Sequence, residues 1–251
     1  MRIASLGSGS KGNATLVQHR DTTILVDNGF SLRRFRQRLQ RLEIEPEAID
    51  AVLLTHEHGD HSSGIERLCA NYSLPLWTAV GTARSALTPQ FHYRRLVAGQ
   101  AVNIGAIDVL PVTVPHDASE PLQFILEQAD SGKRLGILTD TGHITSHIVD
   151  AFSRLDALLL EFNYDAAMLA SGPYPDYLKQ RVGGNHGHLS NDQSLEMLRR
   201  IDTSSLNYLI AAHISEKNNS AIIVEELIRD LEGVPEPIIA NQEMGFDWIS
   251  I

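Results

Sequence analysis

The amino-acid sequence predicts a single α/β domain, and three features carry that reading. The 251 residues, 43% of them hydrophobic, suffice to bury a sizeable core. Short apolar runs bounded by Gly, Pro and Asp read as strands, and segments with apolar residues at helical spacing alternate with them. Residues able to hold a metal ion stand where several of these runs end. Length alone would also permit two domains, but the chain is read as one, residues 1–251.

In chain order, residues 2–6, 15–17 and 23–26 are strand-like. Leu32, Phe35, Leu39 and Leu42 then recur at helical spacing, which predicts a helix over 31–42 with Ser31 as its N-cap. Ala51, Val52, Leu53 and Leu54 form a fully apolar strand, and Ile65, Leu68 and Cys69 give 61–72 a helical stripe. Short strands follow near Leu76 and Ile104, over 107–114 and over 124–126. The second half repeats the scheme, with strands over 133–138, 157–160 and 206–211 and helices over 144–152, 191–201 and 220–231. No internal repeat or low-complexity segment interrupts this order.

The apolar runs are too short to span a bilayer, and the first residues lead straight into a Gly/Ser loop without the pattern of a secretory signal. A soluble protein away from membranes is expected. The single cysteine, Cys69, excludes an intramolecular disulfide and fits a reducing, cytoplasmic setting, with the thiol packed in a core. A formal charge of −10 argues against broad nonspecific attraction to nucleic acid. Arg33, Arg34, Arg36, Arg38 and Arg41 nevertheless form a basic stretch without an acid, which reads either as a solvated face or as a surface for phosphate backbone. Oligomeric state leaves no signature in the sequence.

The most informative run is Thr55-His56-Glu57-His58-Gly59-Asp60-His61, directly after the strand at 51–54. A strand sends alternate residues to one side, so His56 and His58 converge on one ion, and the following turn aims Asp60 and His61 at a second. Imidazole and carboxylate without thiolate suit zinc and also admit manganese or iron. The alternative is a histidine-rich surface loop. Earlier in the chain, Gly7-Ser8-Gly9-Ser10-Lys11-Gly12-Asn13 offers backbone N–H groups that could cradle a phosphate, although a tight turn explains its composition equally well and P-loop spacing is lacking.

The pattern H-x-H-x-D-H resembles the signature of the metallo-β-lactamase superfamily of metallohydrolases. That resemblance implies a four-layer αβ/βα sandwich with metal ligands at strand ends along one edge. It also implies three further ligands, and His116, Asp140 and His213 follow the apolar runs 109–114, 135–139 and 209–212 in the required order. By resemblance His56, His58 and His116 hold one divalent ion, Asp60, His61 and His213 hold another, and Asp140 bridges them. Asp27 matches a recurrent strand-end aspartate, implied to orient a ligating histidine through a hydrogen bond. The Gly/Ser loop, with Ser10 and Asn13, resembles the S-G-S-x-G-N segment of one bacterial subgroup, the WalJ or YycJ type, which implies a place for it beside ligands or substrate. Segments 116–121, 161–165 and 187–191 resemble the same subgroup, so the likeness spans nearly the whole chain. His188 stands where nuclease members carry a histidine beside the metals, and Glu161 is implied to hydrogen-bond it or the ligands. Asp60, His188 and Glu161 are thus the residues expected to serve catalysis. His186 reads as structural, and His19, His92, His143 and His147 as surface residues.

A hydroxide bridging two metals is available near neutral pH, so a hydrolase is the implied class. Asp140 stands where two-zinc lactamases mostly carry cysteine, which disfavours β-lactams. His58 stands where oxygen-reducing di-iron members carry glutamate. Thioester hydrolases of the glyoxalase II type share Asp140. Phosphodiesterases share it too, and add His188 and the pattern Thr139-Asp140-Thr141-Gly142. The stretch between Asp140 and His213 is too short for the extra clamping domain of the long nucleases. The implied function is a compact DNA exonuclease with a role in DNA repair, followed by a cyclic or small-molecule phosphodiesterase. A regulatory domain without catalysis would be favoured by a broken ligand set, and none is broken.

Overall fold

Alternate residues of the central strands face different cores, and this alternation builds the layers. The computed structural model describes residues 1–251. Its first half runs β1 (Arg2–Gly7), β2 (Ala14–His19), β3 (Thr22–Val26), α1 (Leu32–Arg41), β4 (Ala51–Leu53), α2 (Gly59–Ser62), α3 (Ile65–Tyr72), β5 (Leu76–Thr78), α4 (Val80–Ala86) and β6 (Arg94–Arg95). The second runs β7 (Val102–Ile104), β8 (Ile107–Thr113), β9 (Leu122–Gln128), β10 (Arg134–Leu138), α5 (Ser146–Ala151), β11 (Ala157–Glu161), α6 (Ala166–Ser171), α7 (Asp176–Val182), α8 (Asn191–Arg200), β12 (Tyr208–Ala212), α9 (Ala221–Arg229), β13 (Pro237–Ile239) and β14 (Phe246–Ser250).

Two seven-stranded sheets result, ordered β14-β1-β2-β3-β4-β5-β6 and β13-β12-β11-β10-β9-β8-β7. In each, antiparallel meander strands give way to parallel ones, from β3 onward in the first and from β10 onward in the second. Ala51 and Leu53 of β4 meet Ala157 and Leu159 of β11 in the core between the sheets. Their neighbours face outward, Val52 and Leu54 onto Phe35 and Leu39 of α1 and Leu68 of α3, and Leu158 and Leu160 onto Ile148 of α5, Leu195 of α8 and Val224 of α9. This is the four-layer αβ/βα sandwich, in one domain. Strands apolar on both faces are what such burial requires. Truncating one of these leucines to alanine would cost about 2–5 kcal/mol.

Several features depart from the sequence expectation, among them the short elements α4, α6, α7, β6 and β13, which it did not contain. The helix expected over 61–72 is broken into α2 and α3 at Ser63 and Gly64. Gly64 donates its N–H to Asn28 O at 2.9 Å, and a Cβ there would lie 2.0 Å from Phe30 O, so the chain must pass at glycine distance. Ser31 occupies the N-cap of α1, but its side chain makes no capping bond. The C-terminal strand β14, unpredicted, pairs antiparallel with β1. Arg38 holds the turn before β14 in place, donating to Leu6 O at 2.5 Å and Gln242 O at 3.1 Å, and Arg41 donates to Ser5 O at 3.0 Å. The basic stretch therefore divides: Arg33, Arg34 and Arg36 are exposed, whereas Arg38, through Gln242 O, and Arg41, paired with Asp247 at 3.4 Å, fasten the terminal strand against β1. Cys69 is buried, and burial pushes its thiol pKa up to about 12. No helix is long and apolar enough to cross a membrane.

Candidate metal centre

The site forms along the edge where β3, β4, β10, β11 and β12 end. At three of those ends the backbone reverses through the left-handed region, with φ of 61° at Asp27, 52° at Asp140 and 53° at His213. A residue with a Cβ pays about 1–2 kcal/mol there, which neighbouring bonds must offset. Asp27 N donates to Leu53 O at 2.8 Å, and His213 N donates to Ser8 Oγ at 2.8 Å. The loop after Asp27 lies so close to the metal-type motif that a Cβ on Gly29 would fall 1.9 Å from Asp60 O. Likewise a Cβ on Gly142 would fall 2.3 Å from Asn185, in the loop that carries His188.

Hydrogen bonds outside the cluster set the imidazole tautomers. Thr55 Oγ1 donates its one proton to Asp27 Oδ2 at 2.8 Å, so at 2.9 Å from His56 Nδ1 it can only accept. His61 Nδ1 donates to Asp27 Oδ2 at 2.8 Å, His116 Nδ1 to Gly187 O at 3.0 Å and His213 Nδ1 to Glu161 Oε1 at 3.1 Å. All four histidines therefore turn an Nε2 lone pair inward. His58 is reversed, its Nδ1 lying 3.1 Å from both His56 Nε2 and His116 Nε2.

Lone pairs facing one another at such distances call for a cation between them. The ligand atoms of His56, His58 and His116 lie within 4.8 Å of one another, and so do those of Asp60, His61 and His213. Asp140 joins the groups, its Oδ2 3.2 Å from His61 Nε2 and its ligand atom clustered also with that of His56. Asp140 Oδ2 and His213 Nε2 are buried without a hydrogen-bond partner. Orphaned polar atoms of this kind cost about 1–3 kcal/mol each, more when charged, and a divalent ion at each group would satisfy them. The residues thus fit two metals. Without a cation the ionised carboxylates hold protons on neighbouring histidines instead. Burial alone would discharge His213, yet Asp140, Asp60 and Glu161 push its pKa up to about 10. Burial, reinforced by His61, keeps His56 far below its usual value.

Beside this cluster, Glu161 is wholly buried with both oxygens satisfied. Oε1 accepts from Nδ1 of His188 at 2.8 Å and of His213 at 3.1 Å, and Oε2 accepts from the backbone N–H of Leu189 at 3.2 Å and Thr141 at 3.3 Å. His188 Nδ1 also lies 3.5 Å from Asp140 Oδ1. Its other nitrogen, Nε2, is left for the cleft. Against the burial that opposes its charge, Glu161 raises the His188 pKa. Asn13 Nδ2 reaches His61 Nε2 at 3.0 Å and Asp60 Oδ2 at 3.3 Å, while its Oδ1 accepts from Gly9 N at 2.8 Å. Ser10 stands on the rim of the cleft.

The cleft, of about 350 Å³, is lined by Asp60, Asp140, His188 and His213 on its floor and by Tyr174, Leu178, Arg181 and Val182 from α7 and the loop before it. Arg181 Nε donates to Asp117 Oδ2 at 2.6 Å, and Asp117 Oδ1 stands 3.6 Å from His58 Nε2. Arg181 lowers the Asp117 pKa against the burial that would raise it.

Comparison with known proteins decides the family. The beta-lactamase superfamily domain matches residues 22–214. The chain belongs to the metallo-β-lactamase superfamily. Within that superfamily it falls in the WalJ/YycJ-type group. It is 33% identical over 227 residues to exodeoxyribonuclease WalJ of Streptococcus pneumoniae, covering 87% of this chain and 83% of that protein. It is 28% identical over 225 residues to exodeoxyribonuclease YycJ of Bacillus anthracis, covering 87% and 84%. Among solved structures, the metallo-β-lactamase fold protein YhfI of Bacillus subtilis superposes with a TM-score of 0.76 at 17% identity, over 99% of this chain and 98% of that one. As a member of the superfamily this chain is a metal-dependent hydrolase.

The structure brings together every residue that the sequence nominates for the site: His56, His58, Asp60, His61, His116, Asp140 and His213, with Asp27, Asn13, Ser10, Glu161 and His188 around them. His186 is exposed outside it, His19 pairs with Asp130 at 3.0 Å, and His143 donates to Asn185 O at 2.9 Å. Asp117, Tyr174 and Arg181 were not nominated. No spacing links Asp117 to Arg181, 64 positions away, and α7 buries none of its residues, so no core stripe marks it.

Proposed function

We propose that this hydrolase is a dinuclear phosphodiesterase acting on DNA as an exonuclease, cytoplasmic and engaged in DNA repair. The observation that carries the phosphodiester reading is His188. It is held by Glu161 at 2.8 Å beside the ligand cluster, and its Nε2 is left for the cleft. The names of the WalJ and YycJ relatives support DNA as the polymer.

His56, His58 and His116 would hold one ion, Asp60, His61 and His213 the second, and Asp140 both. Zinc suits this donor set best, with manganese or iron admitted. Bound there, divalent ions supply an ionised water near neutral pH and positive charge for the phosphoryl oxygens. The chain's own residues do the rest. Asp27, Thr55, Gly187 and Glu161 hold the imidazoles in the inward tautomer. Glu161 anchors His188 through Nδ1, so that Nε2 delivers a proton to the departing ester oxygen. Asn13 positions Asp60 and His61, and Ser10 on the rim is placed to meet the substrate.

Elemental analysis, together with turnover of end-labelled DNA, an aryl phosphodiester and a glutathione thioester, tests the proposal. Two metals per chain with loss of terminal nucleotides from DNA is the expected result. Asp140→Ala should lower the metal content and abolish hydrolysis. A stoichiometry of one or less after metal loading would refute the dinuclear site, and turnover of the thioester alone would move the function to thioester hydrolysis.

A further inference from the structure

The cleft has two unlike walls. Its floor is the ligand cluster with His188, whereas the overhang of α7 and the loop before it contributes Tyr174, Leu178 and Val182 together with Arg181. Leu178 and Val182 are one helical turn apart, so they share a face with the arginine between them. Arg181 is engaged through Nε by Asp117 at 2.6 Å, which fixes the guanidinium plane at the mouth. Both of its Nη groups remain without a protein partner, and its side chain is 57% exposed. A guanidinium held in this way presents two parallel donors, the geometry that suits a phosphate.

Tyr174 supplies the complementary element. Its ring is half-buried on the cleft wall, and Lys217 Nζ sits 5.5 Å from the ring centroid. An aromatic face beside cations is the arrangement with which proteins hold single-stranded nucleic acid, because every base has a π-face. A cleft of about 350 Å³ is room for one nucleotide and not for a base pair between two backbones. The substrate end would therefore enter unpaired.

We propose that Tyr174 and Arg181 form the subsite for the terminal nucleotide of the strand, the Tyr174 ring stacking on its base and the Arg181 Nη groups pairing with the phosphate beside it. This rests on the nuclease reading above. It gives a role to Asp117 beside His58 and His116: through Arg181 it couples the position of the bound phosphate to two histidines of the cluster, one from each of two loops.

The test compares a single-stranded oligonucleotide with the same strand carrying an abasic residue at the attacked end, using the metal-loaded protein. Tyr174→Ala should lower kcat/KM on the ordinary strand about tenfold, mainly through KM, and on the abasic strand far less, while Tyr174→Phe keeps the wild-type ratio. Arg181→Gln should weaken both strands and reduce the salt slope of binding by roughly 0.7, one single-strand phosphate contact. Binding is read by anisotropy on the metal-loaded protein with a hydrolysis-resistant phosphorothioate strand, so that it stands apart from turnover. Equal loss on both strands in Tyr174→Ala, or an unchanged salt slope in Arg181→Gln, overturns the subsite while leaving the nuclease reading intact. A wild-type protein that degrades neither strand overturns that reading, and the subsite with it.

Discussion

Oε1 of Glu161 lies 2.8 Å from Nδ1 of His188, and this contact commits the other imidazole nitrogen to the cleft. A wholly buried carboxylate persists here because four donors surround it, two imidazoles and two backbone N–H groups. Removing His188 should leave the ligands in place. For His188→Ala we expect two metals still bound and a rate loss on DNA of about 10² to 10⁴-fold. The loss should shrink for an aryl diester whose leaving group needs no proton. Loss of a metal would make His188 a ligand, and full activity on DNA would remove it from the chemistry.

Glu161 acts on both sides of the centre, so its variant should show a double effect. Glu161→Gln keeps the shape but can no longer accept well from two Nδ1 groups. Metal affinity and rate should each fall about 10 to 100-fold, the usual cost of losing a group that orients a ligating histidine. Isothermal titration with zinc and a kcat measurement separate the two effects. A fall in rate with unchanged zinc affinity would confine Glu161 to His188.

Metal uptake should strengthen as pH rises. Five histidines must be neutral at one nitrogen to bind, and His213 holds its proton up to a pKa of about 10 when no cation is present. The sign follows directly: below that value a metal must displace a proton, so affinity falls as pH falls and protons are released on binding. A pH indicator in weak buffer would record that release. Uptake of zinc without proton release at neutral pH would contradict it.

The basic helix should separate into two behaviours. Arg33, Arg36 and Arg67 line an outer groove of about 610 Å³ that shares no residue with the metal centre. If that groove tracks the strand, Arg33, Arg34 and Arg36 changed together to Gln should weaken DNA binding and lower the salt slope by roughly 0.7–0.9 per lost contact, with aryl diester turnover kept. Unchanged affinity and slope would return this face to solvent. Arg38→Gln should instead act on stability, by about 1.5–3 kcal/mol, since its bonds to carbonyls anchor the turn before β14. Thermal melts distinguish the two.

Much of this molecule is legible in one dimension. The strands are apolar on both faces over 51–53 and 157–160 because helices and a second sheet cover them, and that pattern survives in the residues themselves. The candidate ligands are legible for a related reason: strands of an open edge end together, so residues just past apolar runs converge whatever lies between them. Elements without an apolar stripe were missed. α7 buries nothing, and β14 is half-polar because it closes the edge of its sheet.

By itself the sequence determined the donor set, the strand ends that present it and the family signature, since each is written in local spacing and polarity. Only the tertiary structure decided which nitrogen of each histidine faces inward, that Arg38 and Arg41 fasten a strand while Arg33 and Arg36 remain available, and that Arg181 meets Asp117 over the cleft. Those relations join residues far apart in the chain. They arise from how two sheets and their helices pack, and close packing selects one arrangement among many that the same local pattern permits.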